Sequence, residues 1–115
     1  RMPQAKLVAG VRSAGNASII DIKGEVNGQA EDALMAAYNE ASANGVRNII
    51  LNFTDLEYMN SSGIGLLVTL LIRVQRQKQH LRAYGLTEHY NQIFELTRLN
   101  EAIGIYGSEA EALAS

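Results

Sequence analysis

The feature that most constrains the fold is the unbroken apolar run Ile49-Ile50-Leu51, which lies within residues 48–53. A strand with alternating apolar and polar residues buries one face, whereas an unbroken apolar run is typical of a strand covered on both faces. Such cover implies helices on each side of the strand, or at least a central position. We therefore expect residues 48–53 to form the middle of a sheet in an α/β fold.

The flanking segments predict the other elements. Residues 6–11 and 17–26 are β-favouring runs, and the turn formers Ser13 to Asn16 between them predict a hairpin. Apolar residues three and four apart, or short β-favouring runs, predict helices at 29–43, 61–79 and 88–99 and strands at 81–86 and 103–106. Ser108-Glu109-Ala110-Glu111 predicts a capped final helix.

The resulting order, β-β-α-β-α-β-α-β-α, predicts one mixed sheet of about five strands with about four helices and right-handed crossovers. We expect a single α/β domain over residues 1–115, because 115 residues that are 47% hydrophobic suit one core. Residues 1–4 resemble a cloning remnant, since Arg1 precedes Met2, and they lack the charged start and apolar run of a signal peptide.

The composition excludes several classes of function. The formal net charge is −2 without a concentrated excess of Lys and Arg, so we expect no nucleic-acid partner. Without cysteine there is no disulfide, thiolate zinc site or cysteine nucleophile, which fits a cytoplasmic protein. The longest apolar stretch, Ile64–Ile72, is about half of the roughly 20 residues that cross a bilayer, so we expect no membrane insertion.

The candidates for metal binding and acid–base chemistry are weak. His80 and His89 have no acidic or histidine partner at a ligand-like helical spacing, and we expect both at the surface. Asp55 and Glu57 fall in what reads as a short polar loop after a strand, where solvated turn residues are the default. We therefore expect no metal site and no catalytic pair.

The glycines and serines near residue 60 also fail the tests for an enzyme. Gly63 and Gly65 follow a strand and open a helix, but Val68 stands where a dinucleotide-binding loop needs its third glycine. A serine hydrolase would use Ser61 or Ser62, yet the Gly-x-Ser-x-Gly signature is absent. The sequence therefore predicts no enzyme and no cofactor.

The informative segment is Asn60-Ser61-Ser62-Gly63, which places hydroxyl groups where an apolar helix begins. Asn60 or Ser61 can serve as the helix cap. Alternatively, a phosphate on a serine there would meet unpaired backbone N–H groups and the positive end of the helix dipole. The helix is apolar on more than one face, so Leu66, Leu70 or their neighbours are expected to remain as a docking surface.

The far end of this helix is basic, with Arg73, Arg76 and Lys78. These cations are suited to an acidic partner, but cations near a helix C-terminus also relieve its dipole. The position of these cations near the helix C-terminus favours relief of the helix dipole as their role.

The stretch from Asn52 to Gly65 resembles the STAS domain, and within it the bacterial anti-sigma-factor antagonists, whose hallmark is a strand, a short loop and Asp-Ser-Ser-Gly-Leu-Gly opening a helix. The resemblance extends in order to Lys23-Gly24-Glu25-Val26, Tyr84-Gly85-Leu86, Glu95-Leu96-Thr97-Arg98-Leu99 and Ser108–Leu113. It therefore covers nearly the whole chain.

The resemblance implies that Ser61, with Ser62 as the fallback, is phosphorylated by a partner that is both anti-sigma factor and serine kinase. ATP and magnesium then belong to the kinase, the unmodified form binds the anti-sigma factor, and a serine phosphatase resets the switch. The residues expected to contact the partner are Asn27, Asn60, Ser62, Gly63, Ile64, Leu66 and Leu70.

Two residues depart from the family pattern. Asn60 replaces the aspartate that usually precedes the phosphoserine, and Asn27 replaces another usual aspartate. Loss of both carboxylates would lessen repulsion of a nearby phosphate, with slower dephosphorylation or altered partner choice as the expected result. The alternative function is a STAS-like binding module that serves a transporter or a multiprotein signalling complex without turning over phosphate.

Overall fold

The computed structural model describes residues 5–115, so the predicted cloning remnant at 1–4 lies outside the described residues. The strands are β1 (Val8–Ala14), β2 (Ala17–Val26), β3 (Asn48–Met59), β4 (His80–Tyr84) and β5 (Gly104–Tyr106). The helices are α1 (Glu31–Ser42), α2 (Ser61–Arg76), α3 (Glu88–Leu96) and α4 (Glu109–Ala114), and a 3-10 turn spans Leu99–Glu101. The predicted α/β class and order of elements are confirmed.

The five strands form one mixed sheet in the order β1-β2-β3-β4-β5. β1 pairs with β2 antiparallel through the turn at Gly15 and Asn16, and the other neighbouring strands pair in parallel. Each parallel pair is joined by one helix, as a crossover connection requires. The carboxyl ends of β2 and β3 therefore meet at one edge of the sheet, and the chain enters α1 and α2 there.

Helices cover both faces of β3, as its apolar run predicts. Ile49 and Leu51 belong to the large core that α1, α2 and α3 form on one face of the sheet. Ile50 belongs to a smaller core on the other face, where it packs with Ala112 of α4. All three side chains of the run are at most 1% exposed.

The prediction that Asp55 and Glu57 lie in a loop is wrong. β3 continues to Met59, and its second half pairs with β2 through Lys23 and Asp55 and then through Val26 and Met59, with shifts of register between them. Pairing with a long neighbouring strand thus outweighs the turn-forming composition of this segment. Both carboxylates are exposed strand residues.

Two helices end earlier than predicted, because a residue in the left-handed conformation ends each of them. α2 stops at Arg76 and is followed by Lys78 with φ 59°, and α3 stops at Leu96 and is followed by Arg98 with φ 63°. Such residues commonly close a helix. None of the helices within residues 5–115 combines the length and apolarity needed to cross a membrane.

Candidate functional site

The candidate site is built at the carboxyl ends of β2 and β3, whose last paired residues are Val26 and Met59. Parallel strands of α/β folds present ligand- and partner-binding loops at this edge. Here the edge carries Asn27 to Ala30 after β2, and Asn60 with the start of α2 after β3. The two segments that carry the predicted phosphorylation site and the two departures from the family pattern are therefore neighbours.

Asn60 is the cap of α2. Its side-chain Oδ1 accepts a hydrogen bond from the backbone N–H of Gly63 at 2.9 Å, and its own backbone carbonyl accepts from Ile64 N–H at 3.0 Å. The backbone N–H of Asn60 also donates to the carbonyl of Val26 at 3.3 Å, which ties the helix start to the end of β2. The cap is thus supplied by Asn60, and Ser61 is the first helical residue.

Gly63 allows this close approach of helix and strand. It is buried, and a Cβ atom at this position would overlap the carbonyl oxygen of Val26 and lie 2.9 Å from Cγ of Met59. Any side chain here would push the start of α2 away from the sheet. Gly63 was predicted to contact the partner. In the structure it is buried, and it sets the position of Ser61 and Ser62 relative to the sheet.

Both serines are exposed at the first turn of α2. Their backbone N–H groups precede the first hydrogen bond within the helix, and the first turn contains no acidic residue. The positive end of the helix dipole therefore faces these hydroxyl groups without a carboxylate of the same turn to offset it. A phosphate on either serine would meet a favourable local field.

The β2–α1 loop lies beside Ser62. A Cβ atom built on Gly28 would be 3.6 Å from Cβ of Ser62 and 3.8 Å from its Oγ. In the same loop, Oδ1 of Asn27 accepts a hydrogen bond from the backbone N–H of Gln29 at 2.9 Å. Asn27 and Gln29 also line a cleft of about 260 Å³, together with Lys6. Asn27 and Ser62 thus belong to one surface.

The prediction that Leu66 and Leu70 remain as a docking surface is wrong. Leu66 is 9% exposed and Leu70 is fully buried. α2 lies across β2, β3 and β4 and also contacts α1, so it buries a wide arc of its circumference. The buried residues of this arc are Gly63, Leu66, Leu67, Leu70, Leu71 and Val74.

The apolar side chains that α2 leaves at the surface are Val68, 39% exposed, and Ile72, 43% exposed. Ser61, Gly65, Val68 and Ile72 follow one another at intervals of four, three and four residues, so they lie on one side of the helix. We call these four residues the Ser61 stripe. The helical spacing of Val68 and Ile72 from Ser61 is the sequence signal that identifies this stripe. Ile64, predicted to contact the partner, is half-buried beside the stripe.

The histidines that were considered as metal ligands or bases are not clustered at this edge of the sheet. His80 and His89 are exposed, as predicted. In the described part of the chain, no three His, Asp or Glu side chains are grouped as metal ligands. The ion pairs of Arg12 lie on the face of the sheet that α4 covers, where hydrogen bonds from Arg12 hold the pKa of Asp21 and that of Glu109 below their usual range.

Comparison with known proteins gives concordant matches. The family model described as STAS domain matches residues 9–112. An anti-sigma-B factor antagonist of Staphylococcus aureus is 26% identical over 93 residues, which are 80% of this chain and 86% of that protein.

Solved structures show the same fold. An anti-sigma factor antagonist from Mycobacterium paratuberculosis superimposes with a TM-score of 0.80 at 16% identity, over 95% of this chain and 92% of that one. The phosphorylated form of SpoIIAA, a Bacillus cell fate determinant, superimposes with a TM-score of 0.69 at 21% identity, over 93% of this chain and 97% of that one.

Proposed function

Since the chain belongs to the STAS domain family, we propose that it acts as an anti-sigma-factor antagonist controlled by phosphorylation of Ser61. In the unphosphorylated form it binds an anti-sigma factor that is also a serine kinase. The kinase supplies ATP and magnesium, and transfer of a phosphate to the Ser61 hydroxyl weakens the complex. A serine phosphatase restores the binding form, and the protein itself catalyses no reaction.

The observation that carries this proposal is the position of Ser61. Because Asn60 already caps α2, the Ser61 hydroxyl is not needed to close the helix, and it is exposed at the first helical position. A kinase can therefore approach Oγ without unfolding the segment. The phosphorylated form of SpoIIAA supports the same chemistry, because it shows this fold in a phosphorylated state.

The Ser61 stripe explains how the phosphate affects binding. A phosphate adds about −1.5 to −2 charges near neutral pH. The backbone N–H groups at the start of α2 stabilise that charge in the free protein. In the complex, the same charge would have to be desolvated at the end of an apolar contact made by Val68 and Ile72. The phosphate therefore leaves the fold intact and opposes docking.

Ser62 is the fallback acceptor, and its surroundings distinguish it from Ser61. It lies against Gly28 of the β2–α1 loop. Because the Ser61 side chain begins the exposed stripe and Ser62 borders a loop, we expect the kinase to modify Ser61 first. Replacement of each serine by alanine separates the two.

The test is a pull-down from the native cell with wild type, Ser61→Ala, Ser61→Asp and Ser62→Ala as baits, with phosphosite mass spectrometry on the wild type. Phosphate on Ser61, together with a kinase partner that Ser61→Ala retains and Ser61→Asp loses, is the expected result. Absence of phosphate and identical partners on all four baits would instead indicate the constitutive module for a transporter or a multiprotein complex. Phosphate on Ser62 of the wild type, with the same partners bound by the wild type, Ser61→Ala and Ser61→Asp, would assign the switch to Ser62.

A further inference from the structure

A group of cations lies at the amino edge of the sheet, opposite the edge that carries Ser61. Arg47 immediately precedes β3, and Lys78 precedes β4 by two residues. The backbone N–H of His80 donates to the carbonyl of Arg47 at 2.7 Å, so the two strand starts are tied together. Arg73 and Arg76, in the last turn of α2, lie at the same edge.

Arg47 and Lys78 line a groove of about 230 Å³ between the α1–β3 and α2–β4 loops, together with Ser42, Gly45 and Gln77. We call it the basic groove. Both cationic side chains are exposed, and within residues 5–115 neither has a carboxylate within ion-pair distance. Two cationic side chains without an ion pair therefore line one groove of a chain whose net charge is −2.

Gln79, a buried polar residue, lines the basic groove and connects the segments that form it. Its Nε2 donates to Oγ of Ser42 at 3.2 Å and to the carbonyl of Val46 at 3.0 Å, and its Oε1 accepts from the hydroxyl of Tyr38 at 2.6 Å. One amide thus links both loops to α1. The groove is therefore shaped before any ligand arrives, which lowers the entropic cost of binding.

The backbone of Lys78 adopts a conformation that favours glycine. Lys78 has φ 59°, a left-handed conformation that costs free energy for a residue with a Cβ atom. At the corresponding place after α1 the chain uses Gly45, with φ 70°. After α3 it uses Arg98, whose side chain is compensated by an ion pair with Glu101 at 2.9 Å. Lys78 has neither the freedom of glycine nor an ion pair.

Relief of the helix dipole accounts for only part of this group. Arg73 and Arg76 lie in the last turn of α2, where cations are favourable, and Arg73 also stacks on Tyr38 at 5.1 Å. Arg47, in contrast, belongs to no helix. Relief of a helix dipole therefore does not explain Arg47.

We infer that the basic groove binds an acidic segment of a partner protein, whose carboxylates are engaged by Arg47 and Lys78. Charge complementarity identifies the partner's chemistry. A cleft of this size, with two cations, admits one or two carboxylate side chains. Two cations are fewer than a nucleic-acid backbone engages, because its phosphates recruit several cations along its length. The basic groove is separate from the surface that the proposed function uses, because it lies at the edge of the sheet opposite Ser61.

The test is an NMR titration of the isotope-labelled protein with a hexaglutamate peptide in low salt and in 0.15 M salt. We expect saturable shifts of the amides of Ser42, Gly45, Arg47 and Lys78, and weaker binding at the higher salt. Lys78→Gly and Arg47→Ala should each weaken binding about two- to fivefold, the range typical of exposed charge pairs. Lys78→Gly should not lower thermal stability, because glycine suits the left-handed backbone.

Lys23→Ala is the matched control, since it removes an exposed cation from β2 and changes the net charge equally. A weakening by Lys23→Ala as large as that by Lys78→Gly would overturn the inference, because it would show binding to net charge alone. Shifts that are absent or confined to other residues would overturn it as well. A single-stranded RNA that binds more tightly than the peptide would replace the acidic protein segment as the ligand.

Discussion

An ion pair between Arg12 and Glu109 joins the first strand of the sheet to the last helix across 97 positions of the chain, with Nη2 of Arg12 2.5 Å from Oε1 of Glu109. The same guanidinium group donates to both carboxylate oxygens of Asp21, at 2.8 and 3.1 Å. The hydroxyl of Tyr84 donates to Glu109 at 2.8 Å. α4 buries Ala112 against the sheet, and this polar cluster adds a second attachment of the helix.

The cluster predicts a loss of stability in acid. Hydrogen bonds from Arg12 hold the pKa values of Asp21 and Glu109 below their usual range, and burial together with Glu109 raises the pKa of Tyr84 to about 12. A carboxylate with a lowered folded-state pKa contributes stability above its unfolded pKa, near 4, and loses it as the pH falls through the folded value. We therefore expect the free energy of unfolding in urea to fall below about pH 4.

Arg12→Leu should flatten this acid dependence and lower the stability at pH 7 by about 1 kcal/mol or less, because the partners are partly exposed. Glu101→Gln is the control, since it breaks the exposed pair with Arg98 outside the cluster. An unchanged acid dependence in Arg12→Leu would show that other carboxylates cause the loss.

Gly63 and Gly65 form a matched pair for the packing of α2. Gly63→Ala should destabilise the protein by about 1–3 kcal/mol, because its Cβ would overlap the carbonyl of Val26. Gly65→Ala has open space around its Cβ and should stabilise the exposed helix by about 0.5–1 kcal/mol. Urea denaturation measures both. Equal effects of the two substitutions would contradict the close contact of α2 with the end of β2.

Variants of Asn60 separate its role as the helix cap from the effect of a carboxylate at this position. Asn60→Ala removes the acceptor for Gly63 N–H and should cost about 1 kcal/mol of stability, whereas Asn60→Asp keeps an acceptor and should not destabilise α2. Asn60→Asp also places a carboxylate beside the phosphate on Ser61, so we expect faster dephosphorylation. Rates with purified kinase and phosphatase provide the measurement, and equal rates in both directions would rule out this role of the charge.

The order of strands and helices could be predicted because each element carries its own periodicity and end signals. The run Ile49-Ile50-Leu51 predicted burial on both faces, and Ile50 does face α4 while its neighbours face the other helices. The extent of β3 could not be predicted in this way. Residues 54–59 are held extended by pairing with β2, which is a long-range contact that local composition does not reveal.

The candidate site was predicted only in part, for a related reason. Asn60, Ser61 and Gly63 are identified by local cap chemistry and by the family resemblance. The exposed side of α2 depends on where the sheet and α1 lie, and an apolar pattern on two faces does not show which face they cover. The helical spacing from Ser61 would have favoured Val68 and Ile72 over Leu66 and Leu70.

The last prediction concerns the Ser61 stripe and depends on the proposed function. Val68→Asp places a charge on an exposed side chain that the core does not use, so we expect the stability to change by less than about 0.5 kcal/mol. The same charge would be desolvated in the complex, so affinity for the anti-sigma factor should fall about tenfold or more. Leu96→Asp, on α3, makes the same kind of change at a side chain that is 84% exposed, and should leave the affinity unchanged.

Titration calorimetry with the unphosphorylated protein measures these affinities without any phosphate, so the outcome depends on the surface alone. Equal losses in Val68→Asp and Leu96→Asp would show that added negative charge weakens the complex wherever it is placed. No loss in either variant would move the contact away from this side of α2. Loss in Val68→Asp alone, with phosphorylation of Ser61 also lost in a kinase assay, would show that the kinase uses the stripe to reach its substrate hydroxyl.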